Sequence, residues 1–409
     1  MNIALITIGN ELLSGFTVDT NASWIGQEIL KAGGTLSWHQ TIGDTKEDIL
    51  QALATVPSKC KAVIITGGLG PTHDDITAKT LYEYADDTPV FDKEYWRNLK
   101  FRLSQRNIRL PDLNRNQALK PQRGSIIDNP IGSARGLHFK LNDKQIFSLP
   151  GVPREMKKMM ESTILPFIRK NSDNFTLVRT IHTTGIMESA LAEKLKMIVT
   201  EYSENIPIAF LPQFIGVDIR ISCRELTVMD ELINRIQEVA GKYIYGFDQD
   251  LLEDTVGKLL IKNRLTIATA ESCTGGLIGH RLTNVSGSSS YYVGGIVSYS
   301  NSVKESILHV KQKVLDTVGA VSPETAEQMA ENVRTVLNAN LGVSVTGIAG
   351  PTGGTKEKPV GLVYIALANG SKTLVREFRF INDRILNKKA SSQAALNMIR
   401  LYLMSDGNN

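Results

Sequence analysis

The sequence is poor in cysteine, in clustered charge and in long apolar runs. Its 409 residues hold only three cysteines, Cys60, Cys223 and Cys273, which lie far apart and cannot all pair. No Cys-X-X-Cys occurs, which argues against a disulfide scaffold, a zinc knuckle or a dithiol redox site. The 46 Lys and Arg against 42 Asp and Glu leave a net charge of +4. That is too weak a field over a chain this size to expect nucleic acid or an anionic membrane as partner. No run of five basic residues changes this. No apolar run reaches 18 residues, and MNIALITIGNELL has no basic leader and carries Glu11 inside its apolar stretch. Neither a membrane span nor a signal peptide is therefore expected, and the expected location is cytoplasmic.

What remains is an ordinary globular balance, 42% hydrophobic and 22% charged. At about 150 residues per domain, the length suggests two to three domains. The first 170 residues alternate apolar strands with amphipathic helices. IALITI (3–8) is followed by a helix capped at Thr20-Asn21 and running through Ala32, where Ile25, Ile29 and Ala32 share a face. A strand at 35–42, a helix at 46–56 opened by Thr45 and a buried strand KAVIIT (61–66) follow. This βαβ rhythm predicts a parallel sheet with helices on both faces. A hairpin at 136–149 and a helix from PGVPREMKKMMESTILPFI complete the domain. Asn171–Asn174 reads as a linker to a small α+β domain at 175–246. From 250 to 409 the α/β alternation resumes, ending in a helix at 386–403. The expected fold is thus two α/β domains with parallel-rich sheets joined by a small α+β domain.

Two turns carry candidate chemistry. GGLGPTHDDIT (67–77) lies between a buried strand and a helix, at the sheet edge where open α/β sheets bind ligands. Gly67, Gly68 and Gly70 let backbone N–H groups approach an anion, and the following helix adds its positive end. It is neither a P-loop nor a dinucleotide fingerprint, since GK[ST] and GxGxxG are both missing. Asp74 and Asp75 are hard oxygen ligands suited to Mg²⁺ beside a substrate phosphate. The plainer role for both is capping helix 76–86.

The second turn is Ala270-Glu271-Ser272-Cys273-Thr274-Gly275-Gly276, between strand LTIATA and a helix at 276–284. Ser272 would sit on a strand-to-helix turn, with the helix-start N–H groups pointing outward as an oxyanion hole. A serine needs a base. His280 lies two turns along the same helix, so Lys304, following strand GGIVSYS, is the better candidate. Its amine would have to be pulled from about 10.4 toward roughly 7–8 to act as one. Tyr299 and Asn301 flank it and would orient it. Cys273 is an alternative nucleophile, although a buried structural thiol is the commoner outcome. Ser272 would also serve as a simple helix cap, and Lys304 as a solvated surface residue. TGIAGPTGG (346–354) favours a ligand site, because its glycines and proline suit neither helix nor strand. Thr346, Thr352 and Thr355 offer hydroxyls there, and Arg384 offers a planar fork for phosphate.

These motifs resemble the CinA family. TIGNELLSG, DTNASWI, GGLGPTHDDIT, Asn114–Ala118 and LPGVPREM are similar to its molybdopterin-binding-like domain. AESCTGG, VSYSNSVK, TGIAGPTGG and NDR are similar to its C-terminal half. The resemblance spans nearly the whole chain. It implies domains at 1–170 (a metal-dependent ADP-ribose pyrophosphatase), 175–246 (K-homology-like) and 250–409 (a nicotinamide mononucleotide deamidase), in a homodimer. Implied at the first site are Asn10, Glu11, Asn21, Gly68, Gly70 and Thr72 toward substrate, with Asp74 and Asp75 toward Mg²⁺ or a similar metal. Implied at the second are Ser272, Lys304 and Tyr299 in catalysis, with Thr274, Gly275, Asn301, Thr346, Gly347, Gly350, Gly353 and Arg384 toward substrate and no cofactor. In the middle domain, Gly185-Ile186-Met187-Glu188-Ser189 has Met187 where the family often has glycine. With no basic Gly-X-X-Gly clamp, a spacer or dimerisation role is expected of that domain rather than RNA binding. The competing expectations are a DNA-uptake or repair scaffold, which the family's name suggests, and a molybdopterin-handling protein.

Overall fold

The computed structural model describes residues 1–72, 75–105, 107, 111–172 and 177–405, with the main chain alone at 112 and 113. The chain divides into two compact units, Met1–Val178 and Arg179–Asn409.

The first unit is built on a six-stranded sheet. In spatial order its strands are Thr35–Ile42, Asn2–Ile8, Ala62–Thr66, Lys144–Leu149, Gly136–Leu141 and Ser125–Ile127. The first four run parallel, and the last two close the edge antiparallel. The continuous apolar strand Asn2–Ile8 divides by period two. Ala4, Ile6 and Ile8 join one core, while Ile3 and Leu5 join the core on the other face. Covered on both sides, the sheet leaves its carboxyl edge as the accessible working surface.

Two local expectations need correction here. Helix Thr20–Lys31 is capped by Asp19, whose carboxylate accepts the Ala22 N–H at 2.8 Å, and not by Thr20 or Asn21. Asn21 instead donates Nδ2 to the Gly151 carbonyl at 2.7 Å. The helix read from PGVPREMKKMMESTILPFI is interrupted by a π-turn, Met160–Ile164, between Pro153–Met159 and Leu165–Lys170. Pro166 has no N–H for the preceding turn, and the wider π-turn accommodates that gap. Thr45 caps helix Lys46–Thr55 as expected.

The second unit contains two sheets. The smaller has the order Ile208–Gln213, Gly216–Cys223, Leu177–Thr183 and Ile244–Phe247, with helices Glu188–Tyr202 and Leu226–Ala240. Met187 precedes the first of these helices at φ −80°, ψ 152°, an extended conformation that needs no glycine. The larger sheet orders as Tyr292–Val297, Ile267–Glu271, Leu341–Gly347, Leu362–Ala368 and Thr373–Arg379. Its first three strands are parallel and its last two antiparallel, so it is mixed, like the sheet of the first unit. Helices Leu252–Asn263, Leu277–Thr283 and Arg384–Ser405 pack on one face through residues such as Val256, Ile278 and Ile399. Helix Pro323–Val336 covers the other face through Met329 and Val333.

The two sheets are tied together by Arg400, only 1% exposed, which donates to the carbonyls of Lys242 (2.6 Å) and Ile244 (2.7 Å). Burying a guanidinium is tolerable only with such acceptors in place. All three cysteines are free and buried. Among the described residues, no helix is long and apolar enough to cross a membrane.

Candidate active site

At the carboxyl end of strand Ile267–Glu271 the chain turns sharply into helix Leu277–Thr283. Gly275 (φ +62°) and Gly276 (φ +93°) make the turn possible, since side-chain-bearing residues rarely adopt those angles. Ser272 N–H donates to the Val345 carbonyl at 2.9 Å, which anchors the serine to the central strand. Glu271, 1% exposed, accepts the N–H groups of Gly276 (3.0 Å), Ile278 (3.0 Å) and Gly279 (2.8 Å). Three of the N–H groups at the helix start, those of Gly276, Ile278 and Gly279, are therefore spent on Glu271 rather than open to a substrate oxyanion.

Opposite stands Lys304, on helix Asn301–Ser306, which Ser300 caps. Its side chain is 1% exposed, with Nζ 3.0 Å from Ser272 Oγ and 2.6 Å from the Ser298 carbonyl oxygen. A third acceptor, the Tyr299 carbonyl, lies at 3.4 Å. Burial pulls the amine down to about 8. The lysine is thus held by backbone oxygens. Neither the Tyr299 phenol nor the Asn301 side chain bonds it, contrary to expectation. The phenol is exposed and accepts from Arg384 Nη2 at 2.8 Å, while Arg384 Nη1 donates to the Gly350 carbonyl at 2.9 Å.

Ser272, Lys304, Tyr299, Asn301, Thr346, Gly347, Gly350, Thr352, Gly353 and Arg384 line one cleft of about 260 Å³. Among the described residues, the N–H groups of Gly350, Thr352 and Gly353 find no backbone hydrogen-bond acceptor. Thr346 is on the wall, but its hydroxyl donates to the Ala320 carbonyl at 2.6 Å. Thr274 and Gly275 do not line the cleft. Thr274 is fully buried, and Gly275 serves the turn. Thr355 lies off the cleft and accepts the Lys358 N–H at 3.0 Å. Cys273 also lines the cleft, and burial pushes its thiol up to about 12, which favours the protonated form. His280 is exposed and off the cleft. A larger cavity of the second unit, about 710 Å³, has no nucleophile–base pair on its walls.

The first unit carries a separate cleft of about 440 Å³ around the glycine turn. Gly67 (φ +107°) and Gly68 (φ +67°) are obligatory. A Cβ at Gly67 would stand 2.4 Å from the Ile8 carbonyl oxygen, and one at Gly68 2.1 Å from Thr77 Oγ1. Gly68, Gly70, Glu11 and Asp75 line the cleft. The following helix is Thr77–Tyr84, shorter than expected, and Asp75 does not cap it. Asp75 Oδ2 instead accepts the N–H of Thr72 at 2.9 Å and the Thr72 hydroxyl, closing its own loop. Asp74 lies outside the described residues. Asn10 is exposed and off the cleft wall, and Asn21 reaches only the cleft's edge through Gly151.

Asp44 and Glu155 also line this cleft. Asp44 Oδ1 is buried with no hydrogen-bond partner among the described residues. Among the described residues, no group of three or more His, Cys, Asp or Glu side chains comes together as a metal cage. Mg²⁺ needs only one or two carboxylates when substrate phosphate and water complete its shell. Asp44, with its unspent oxygen, and Asp75 line the same cleft, and two such carboxylates fit that requirement.

Sequence reasoning missed Glu271, Asp44 and the Ser298 carbonyl. For Glu271 the signal was present: an acidic residue closing a wholly buried strand, directly before the serine.

Fold and site together define a protein of two mixed α/β units, one with a buried serine–lysine pair at a strand-to-helix turn. Comparison with known proteins is consistent along the chain. Residues 4–170 match the probable molybdopterin binding domain, 178–246 the damage-inducible protein CinA KH domain, and 249–403 the CinA C-terminal domain. A CinA-like protein from Salinibacter ruber is 40% identical, covering 98% of this chain and 100% of its own. A CinA-like protein from Geobacter is 39% identical, covering 99% and 98%. A solved competence/damage-inducible protein from Agrobacterium tumefaciens is 41% identical over 37% of this chain and 97% of its own, with a TM-score of 0.36. The chain belongs to the CinA family.

Proposed function

We propose that the serine–lysine cleft hydrolyses the carboxamide of nicotinamide mononucleotide, releasing ammonia. The observation that carries this reading is the Lys304 amine, buried 3.0 Å from Ser272 Oγ and pulled down to about 8. At neutral to mildly alkaline pH a useful fraction of that amine is neutral and able to accept a proton. Ser272 Oγ attacks the carboxamide carbon as its proton passes to Lys304 Nζ. The C–N bond then breaks, and the lysine returns the proton to the departing ammonia. Water adds to the acyl-serine, again giving a proton to Lys304, and the Oγ–C bond breaks with that proton returned to Ser272. The acid product leaves.

The oxyanion donors of this scheme are the N–H groups of Gly350, Thr352 and Gly353, residues that line the cleft, while Glu271 occupies those of Gly276, Ile278 and Gly279. Arg384, at the cleft wall, supplies the charge that a mononucleotide phosphate requires. No cofactor enters the scheme.

The glycine-turn cleft supports a second, independent activity, hydrolysis of the pyrophosphate of ADP-ribose. Asp44 and Asp75 would hold a divalent metal there, which would supply neutralisation of the pyrophosphate charge and activation of water. Backbone N–H groups of the glycine turn bind the phosphate oxygens. In this account the protein acts as a cytoplasmic homodimer on small nucleotides, without nucleic-acid or membrane partners. Product analysis with nicotinamide mononucleotide, and separately with ADP-ribose plus Mg²⁺, tests both readings. Ammonia in the first case and AMP with ribose 5-phosphate in the second are the expected products.

A further inference from the structure

The first turn of helix Arg384–Ser405 reaches the glycine loop of the serine–lysine cleft with two side chains. Arg384 donates Nη1 to the Gly350 carbonyl at 2.9 Å. Asn387, three residues on and so on the same face of the helix, donates Nδ2 to two carbonyls. These are Ala349 at 2.9 Å and Ile381 at 2.7 Å. Arg384 stands on the cleft wall, whereas Asn387 does not, being 1% exposed within the fold.

Both neighbours of the Asn387 amide nitrogen are carbonyl oxygens, so the donating end of the amide must face them. Its two hydrogens are thereby spent, and Oδ1 is left buried with no partner among the described residues. A buried acceptor without a partner is costly, and asparagine is a poor helix former. An apolar side chain would avoid both costs. What the amide alone supplies is a pair of donors, one for the glycine loop and one for the turn before Arg384.

The hold on Ala349 bears on the chemistry. The Ala349–Gly350 peptide is trans, so its C=O and N–H point in opposite directions. Holding the Ala349 carbonyl toward the helix turns the Gly350 N–H away from it. Gly350 lines the cleft, and its N–H finds no backbone acceptor among the described residues. Glycine, here at φ +86°, puts little steric limit on rotation of the peptide before it. A half-turn of that peptide would aim a carbonyl oxygen where the N–H now points, and a carbonyl oxygen repels a developing oxyanion.

We propose that Asn387 is a positioning residue for the deamidation, holding the 349–350 peptide so that the Gly350 N–H faces the substrate oxyanion. The proposal rests on the deamidase reading of the cleft. The test compares the full-length wild type with Asn387→Leu, which nearly keeps the side chain's size and favours the helix, and with Asn387→Ala. Ammonia release from nicotinamide mononucleotide gives kcat and its pH profile. Calorimetric binding of the same nucleotide is measured with each change combined with Ser272→Ala, so that substrate is not consumed. Crystal structures of both variants show the peptide directly.

The expected result is a kcat lowered at least about tenfold, toward the 10²–10³-fold cost of one lost oxyanion donor, with binding changed less than about threefold. The midpoint of the pH limb stays near 8, because Lys304 is untouched. The 349–350 peptide is turned or occupies two orientations in the variants. An unchanged kcat, a parallel loss of kcat and binding, or a peptide unmoved in both variants overturns the proposal. If the wild type releases no ammonia, the deamidase reading fails, and the crystal structures still decide whether Asn387 holds the peptide.

Discussion

Lys304 Nζ lies nearer to the Ser298 carbonyl oxygen (2.6 Å) than to the Ser272 hydroxyl it would deprotonate (3.0 Å). The backbone of one strand end therefore holds the amine in place, and burial decides its charge. That arrangement separates position from protonation, and the two can be tested separately.

The rate of ammonia release should rise with pH along a limb whose midpoint lies near 8, the value to which burial pulls Lys304. Neutral amine is the active form, so activity falls as pH drops below that midpoint. A profile flat between mildly acidic and mildly alkaline pH would exclude Lys304 as base.

Lys304→Arg should be nearly as damaging as Lys304→Ala, each losing on the order of 10²–10⁴-fold in kcat, because arginine keeps its proton at any working pH. Substantial rescue by arginine would mean that the charge merely holds substrate. Lys304→Met should raise the melting temperature below pH 8 even as it removes activity. The folded-state pKa is depressed, so the unfolded chain binds the proton more readily. The destabilisation is full below pH 8 and fades as pH rises toward the ordinary lysine value of 10.5. A scan of melting temperature against pH checks this sign.

Glu271→Gln should lower stability and kcat together. One carboxylate holds three N–H groups, and an amide presents only one oxygen to them. Loss of charge-assisted hydrogen bonds costs about 1.5–3 kcal/mol, readable by denaturant unfolding. Cys273→Ala should leave the rate within a few-fold, since its thiol is pushed up to about 12. A collapse there would move the nucleophile to sulfur.

Asp44→Asn with Asp75→Ala should abolish metal-dependent ADP-ribose hydrolysis while leaving deamidation within a few-fold, and EDTA should do the same. The two clefts belong to different compact units and share no residue. Loss of both activities on EDTA would contradict two independent sites.

The legible part of this protein was periodic. Strands such as Ala62–Thr66 and Leu341–Gly347 are mostly apolar and buried nearly throughout because both faces are covered, and that pattern stands in the sequence. The serine–lysine pairing was legible for a related reason. Parallel neighbouring strands bring their carboxyl-end turns together, so residues 32 positions apart could be matched. Hydrogen-bond allegiance was not legible. Whether Asp75 caps a helix or closes its own loop with Thr72 depends on backbone angles around Gly68 and Gly70, which residue types alone do not set. The same is true of Tyr299, whose phenol turned to Arg384 while its carbonyl faced the lysine. Glu271 was hidden by its position, since a carboxylate ending an apolar strand reads as a boundary until the N–H groups it accepts are seen.

The most direct measurement is ammonia release from nicotinamide mononucleotide by pure wild-type protein and by Ser272→Ala, with substrate binding measured in parallel. The account predicts that the variant binds the nucleotide with little change but releases no ammonia above the uncatalysed rate. Undiminished release by Ser272→Ala would contradict it.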